Sequence, residues 1–135
     1  MSSENPILRV DLESAVPVYE QVSNGIRGEL VAGRLRPGDQ LPTVRELALD
    51  LGVHHNTVAE AYRLLAREGW LDLRRGRGAL VIDRKQPAPS EQARAEFVRR
   101  LRELVAKAVA QGVPKSAMAG DLRALGSELD GGGHQ

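Results

Sequence analysis

At 135 residues with 41% hydrophobic side chains the chain is about one domain long, and with aromatics at only 3% its core must be built from Leu, Val, Ala and Ile, which favours helices. The absence of cysteine excludes disulfides, thiolate zinc sites and cysteine nucleophiles together. Net charge is +1, divided as 11 Arg against 12 Asp and Glu over residues 1–84 (net −1) and 8 basic against 6 acidic residues over 85–135 (net +2), so any phosphate-binding surface must be local.

The opening MSSENPILRV has neither a basic n-region nor a long apolar run, and no stretch approaches the roughly 18 apolar residues of a spanning helix. The expectation is a soluble, unexported, cytoplasmic protein with no membrane contact. Ile7 to Leu12 alternates apolar and polar residues, as a short strand would, and is followed by a loop ending at Pro17. From Val18 the apolar residues Val18, Val22, Ile26 and Leu30 recur at helical spacing, and Gly33 supplies a stop. Gly25 and Gly28 inside this helix each cost about 1 kcal/mol relative to Ala, which suggests close packing or mere tolerance. Pro37-Gly38-Asp39 signals a turn, and Gln40-Leu41-Pro42 allows a minimal strand.

Thr43-Val-Arg-Glu46 matches the capping box, in which a Thr hydroxyl and a Glu carboxylate each accept from a free backbone N–H. A second helix therefore starts at Thr43, buries Val44, Leu47, Ala48 and Leu51, and ends at Gly52 after about two turns, too short to stand without tertiary packing. After Gly52-Val53, Val58, Ala61, Tyr62 and Leu65 form one apolar stripe, and His55, Asn56, Ala59, Glu60 and Arg63 occupy the opposite face. This third helix ends at Gly69. Trp70 to Arg74 and Ala79 to Ile82 read as strands joined by a basic turn, Arg75-Gly76-Arg77-Gly78.

Lys85 to Pro89 reads as a linker. Ser90 opens a fourth helix with Phe97, Leu101, Leu104 and Ala108 at 4-3-4 spacing, widened by Val98, Val105 and Val109, and stopped by Gly112 and Pro114. A last helix, about Lys115 to Leu129, repeats the spacing at Met118, Leu122, Leu125 and Leu129. The three-glycine tail is expected to be disordered. The pattern is mostly α with a small β hairpin. It divides into an N-terminal winged helix-turn-helix over 7–84, a linker over 85–89, a two-helix dimerisation appendage over 90–130 and a tail over 131–135.

In a winged helix-turn-helix the second helix of the pair lies in the DNA major groove and presents side chains near its N-terminus to base edges. His54, His55, Asn56 and Thr57 sit at such a start, where free N–H groups and partial positive charge attract phosphate. Arg45 projects towards the same surface, and Arg bidentate to guanine is the commonest specific contact.

The segment PVYEQVSNGIRGELVAGRLRPGDQLPTVRELALDLGVHHNTVAEAYRLLAREGWLDLRRGRGALV, Pro17 to Val81, resembles the N-terminal domain of the GntR family of bacterial transcription regulators. The PxYEQ start, the GxLxPGxxLP segment, the RELA and LGV blocks, the NTVxxAYxxL helix and the GRG wing all agree in order and spacing. The remaining 50-odd residues resemble the short two-helix dimerisation tail of the YtrA-like subfamily. The resemblance implies a homodimeric regulator, commonly a repressor, on double-stranded DNA. Arg45, Asn56 and Thr57 would contact the duplex and the wing tip Arg75 to Gly78 would approach the minor groove, with Thr43, His54 and His55 alongside. The chain departs from the family at His54-His55, where Ser or Thr followed by Arg is usual, and at Ala59, often polar or basic. The dimer seam would be drawn from Phe97, Leu101, Leu104, Val105 and Ala108 with Met118, Leu122 and Leu125.

Blander readings stand beside these. Arg45 could pair with Glu46 or Asp50, the wing could be an ordinary basic turn, and the last two helices could fold back onto their own domain. Metal is disfavoured because adjacent His54 and His55 diverge by about 100° on a helix start and no third ligand lies nearby. No carboxylate pair, His-anchored nucleophile or phosphate loop supports an enzyme, and no cofactor is implied. A winged helix used for protein contact would want an apolar or acidic recognition face, whereas the residues around Arg45, Asn56 and Arg77 are polar and basic. A two-helix tail cannot enclose a ligand pocket of some 300 Å³, so any small-molecule effector must sit between subunits.

Overall fold

The computed structural model describes residues 8–74 and 78–132. The chain forms two compact units, residues 1–85 and 86–135. In the first, the elements are α1 (Val18–Val31), β1 (Gln40–Leu41), α2 (Val44–Leu51), α3 (His55–Arg67), β2 (Leu71–Arg74) and β3 (Gly78–Val81).

The periodic apolar residues account for the packing. Val22, Ile26 and Leu30 of α1, Leu47 and Ala48 of α2, and Val58, Ala61, Tyr62 and Leu65 of α3 are all buried in one cluster, closed by Leu41, Leu71, Ala79 and Val81 of the sheet. Strand order is β1-β3-β2, both pairings antiparallel, with Leu41 opposite Ala79 and Leu71 opposite Val81. Two charged clamps tie the periphery together. Arg27 of α1 makes a bidentate pair with Glu68 at the end of α3, at 2.8 and 3.0 Å, and Arg34 pairs with the nearly buried Glu29 at 2.8 Å.

The corner between α2 and α3 is closed by backbone alone. Gly52 takes φ 72°, and the Val53 N–H donates to the Ala48 carbonyl at 3.0 Å, a Schellman-type closure of the helix end.

The alternating segment expected as a strand from Ile7 is not one over its described part, Leu8 to Leu12. Its alternation reflects one-sided burial without pairing: Leu8 and Val10 pack on the core. The Asp11 N–H and C=O are both taken by the Gln21 side chain, at 2.8 and 3.0 Å, and not by a neighbouring strand. Leu8 also explains Gly25, because a Cβ at Gly25 would collide with the Leu8 side chain; Gly28 faces open space and is merely tolerated.

The second unit holds α4 (Glu91–Ala110) and α5 (Lys115–Gly132). Ser90 caps α4, its hydroxyl accepting from the Ala93 N–H at 3.0 Å, and Gly112 at φ 106° ends it before Pro114. Helix α5 runs past Leu129 to Gly132, through the first two residues of the segment expected to be a disordered tail. Glycine lowers helix propensity by only about 1 kcal/mol, which a last turn continuing an established helix can absorb. Residues 133–135 of that tail lie outside the described residues.

Candidate nucleic-acid interface

The start of α2 is built by the Thr43 capping box. The Glu46 N–H donates to the Thr43 hydroxyl at 3.1 Å and the Thr43 N–H to the Glu46 carboxylate at 2.9 Å. This occupies Glu46 and leaves Arg45 exposed, with no ion pair or hydrogen bond to a described residue. The alternative of an Arg45 pair with Glu46 or Asp50 is not what forms.

The start of α3 is capped by an unusual group. His54 Nδ1 accepts from the Asn56 N–H at 3.0 Å, and the His54 and His55 rings stack with centroids 4.5 Å apart. The imidazole thus takes the role that a Ser, Thr, Asp or Asn side chain commonly has at a helix start. Asn56 is exposed and Thr57 half-buried on the first turn. Behind them Val58, Ala61, Tyr62 and Leu65 anchor the helix, so its outer face is fixed by the core.

Tyr62 joins two parts of the site. Its hydroxyl donates to the Pro42 carbonyl at 2.8 Å, tying α3 to the entry of α2. Burial, with the Glu46 carboxylate as the lesser cause, pushes its ionisation well above that of a free phenol. Gly78, the first residue of β3, is required there by the fold: φ is 77°, and a Cβ would run into the Leu41 and Pro42 carbonyl oxygens.

These elements enclose a cleft of 530 Å³ between α2, α3 and the hairpin. It brings together three of the residues expected from sequence, Thr43, Arg45 and Gly78, while the first turn of α3, with His54, His55, Asn56 and Thr57, lies beyond it. Arg75, Gly76 and Arg77 lie outside the described residues. The cleft adds Ala59, Arg63, Leu73 and Arg74, which sequence reasoning did not select. A signal for Arg63 was present: it is one turn after Ala59 on the face opposite the buried stripe. Leu73 carried a misleading one. Strand alternation places it inward with Leu71, yet Leu71 is buried and Leu73 is 42% exposed, because the core ends before the tip of the hairpin.

In the second unit, no residue of α4 is buried. Phe97 and Leu104 are 61% and 64% exposed, and Leu122 and Leu125 of α5 are exposed as well. Leu101, Val105, Ala108 and Met118 are half-buried. Leu101, Val105 and Leu122 line one open groove between the two helices. Among the described residues no group of His, Asp and Glu could hold a metal ion, and no helix is long and apolar enough to cross a membrane.

Residues 18–81 match the family model described as bacterial regulatory proteins, gntR family. The chain is similar to the HTH-type transcriptional repressor YtrA of Bacillus subtilis (strain 168), 30% identical with 93% of this chain and 97% of that protein covered. Among solved structures it is similar to YtrA from Sulfolobus acidocaldarius, a GntR-family transcription factor, at 35% identity and TM-score 0.55 over 77% of this chain and 98% of that one. It also matches the DNA-binding domain of AraR in complex with operator ORX1, at 29% identity and TM-score 0.50 over 55% of this chain and 95% of that one. A winged helix with this cleft, followed by two helices and aligned along nearly the whole of a YtrA relative, places the chain in the GntR family of DNA-binding transcriptional regulators.

Proposed function

We propose that the protein is a homodimeric repressor that binds an inverted-repeat operator, each protomer placing α3 in the major groove and its wing in the adjacent minor groove. In this reading residues 7–84 bind DNA, 85–89 link, and 90–130 dimerise. The observation that carries it is the outer face of α3 and the start of α2, where Asn56 and Arg45 stand exposed, with His55 half-buried beside them, around helix ends held rigid by capping and by a fully buried stripe. Rigid presentation of such side chains is what direct readout requires. Thr57 and the wing segment 75–78 complete the DNA-facing set, and Thr43 contributes through its cap.

The dimer reading is supported by the tail. A two-helix appendage with Phe97, Leu104 and Leu125 largely exposed buries too little apolar surface to be stable alone, and a second copy of the same stripe is the self-complementary partner. Two-fold symmetry then dictates half-sites about 10 base pairs apart, one helical turn. Repression is supported by the name of the Bacillus subtilis relative. An effector, where one acts, sits between the subunits.

The test is selection of bound fragments from the parent genome, followed by affinity measurements on the enriched site. An inverted repeat should emerge, and Arg45→Ala should cost about 1 to 3 kcal/mol on that site with little effect on unrelated duplex. Enrichment of no common sequence would remove the operator reading.

A further inference from the structure

We propose that the cleft between α3 and the β2–β3 hairpin seats a single sugar–phosphate strand of the duplex, with Arg63 as its phosphate-binding residue and Ala59 and Leu73 as its sugar-facing floor. The inference rests on the proposed docking of α3 and wing. In B-form DNA a major groove and the minor groove next to it are separated by one backbone strand. A protein with α3 in one and its hairpin in the other must therefore straddle that strand, and this cleft is the space that the described residues leave between those two elements.

Its lining fits such an occupant. Arg63 is exposed and makes no ion pair or hydrogen bond to a described residue. It stands on the cleft wall with Arg45, and Arg74 stands on the hairpin side. Arg74 is held by Asp72 at 3.1 Å, both about half exposed, so its charge is partly neutralised within the strand. Apart from the arginines the lining is mostly apolar, with Val44, Ala59 and Leu73. Such side chains offer no donor or acceptor to a base edge, whereas they can pack against deoxyribose while Arg63 takes the adjoining phosphate. This also accounts for an exposed leucine at position 73, where the strand's own alternation has no core left to fill.

Backbone binding is indifferent to sequence, and that separates Arg63 from Arg45. With the full chain, binding is measured against the selected genomic site and against a mixed-sequence duplex over a salt series. Arg63→Ala should weaken both by the same factor and flatten the log–log salt dependence by about 0.9 for each phosphate that Arg63 neutralises. Arg63→Lys should keep the wild-type slope, since a point charge suffices for phosphate, and Leu73→Asp should weaken both duplexes. Asp72→Asn, by releasing Arg74, should tighten both. If the wild-type chain binds both duplexes and Arg63→Ala leaves affinities and slope unchanged, the cleft holds no strand. Weakening confined to the genomic site would make Arg63 a base reader and overturn the assignment equally. If the wild-type chain binds neither duplex at low salt, the docking reading fails first and takes the inference with it.

Discussion

His54 and His55 are adjacent and stacked, yet they have different roles. His54 commits its Nδ1 lone pair to the Asn56 N–H, so a proton at that nitrogen would turn the cap's acceptor into a donor and open the first turn of α3. His55 makes no hydrogen bond to a described residue, so its ring nitrogens are available to the duplex without cost to the cap. His55→Ala should therefore weaken duplex affinity, whereas His54→Ala should also loosen the start of α3. Affinity measurements on both variants at constant pH and ionic strength check this, and unchanged affinity in His55→Ala would refute His55 as a DNA contact. Gly78 is the second residue with a dual reading. Any side chain there meets the Leu41 and Pro42 carbonyl oxygens, so Gly78→Ala should lower stability in denaturant melts even without DNA present, by a few kcal/mol for strained backbone and steric clash together. Selection for glycine at this position would thus report the fold before it reported DNA.

At the level of elements, the helix-turn-helix is held by one buried polar contact as well as by apolar packing. Tyr62→Phe should cost about 1 kcal/mol by leaving the Pro42 carbonyl without its donor. The same residue sets an alkaline limit. Because its folded ionisation lies above that of the unfolded phenol, the stability it contributes is complete below about pH 10 and disappears as pH rises beyond it. Denaturant melts at neutral and at alkaline pH should show that decline in the wild type and a smaller one in Tyr62→Phe. Helices α1 to α3 follow from periodicity and end signals read directly, and Thr43 and Gly52 each carry a local physical cause for a boundary. The segment 8–12 shows the limit of that approach: alternation at Leu8 and Val10 reports which side is buried, but pairing depends on whether a strand edge lies alongside, and Gln21 reached the backbone instead.

For the whole molecule, DNA affinity and association should be linked through α4 and α5. Replacing Leu101 and Leu104 with Asp should give a monomer in sedimentation and lower operator affinity. Residues 17–82 should stay folded, because none of the core residues of the first unit comes from the tail. Unchanged affinity in a monomeric species would refute the dimer. Local chemistry along the chain was enough to specify its helices, the capping box that opens α2, its turn glycines and the polar character of the face opposite Val58 and Leu65, because caps, left-handed turns and amphipathic stripes depend on neighbours within a few residues. The β1-β3-β2 sheet order, the exposure of Leu73 beyond the edge of the core and the gathering of Arg45, Arg63 and Arg74 around one cleft came only from folding. Each joins residues far apart in sequence, and their separation in space is set by how α1, α2, α3 and the sheet fill a common core.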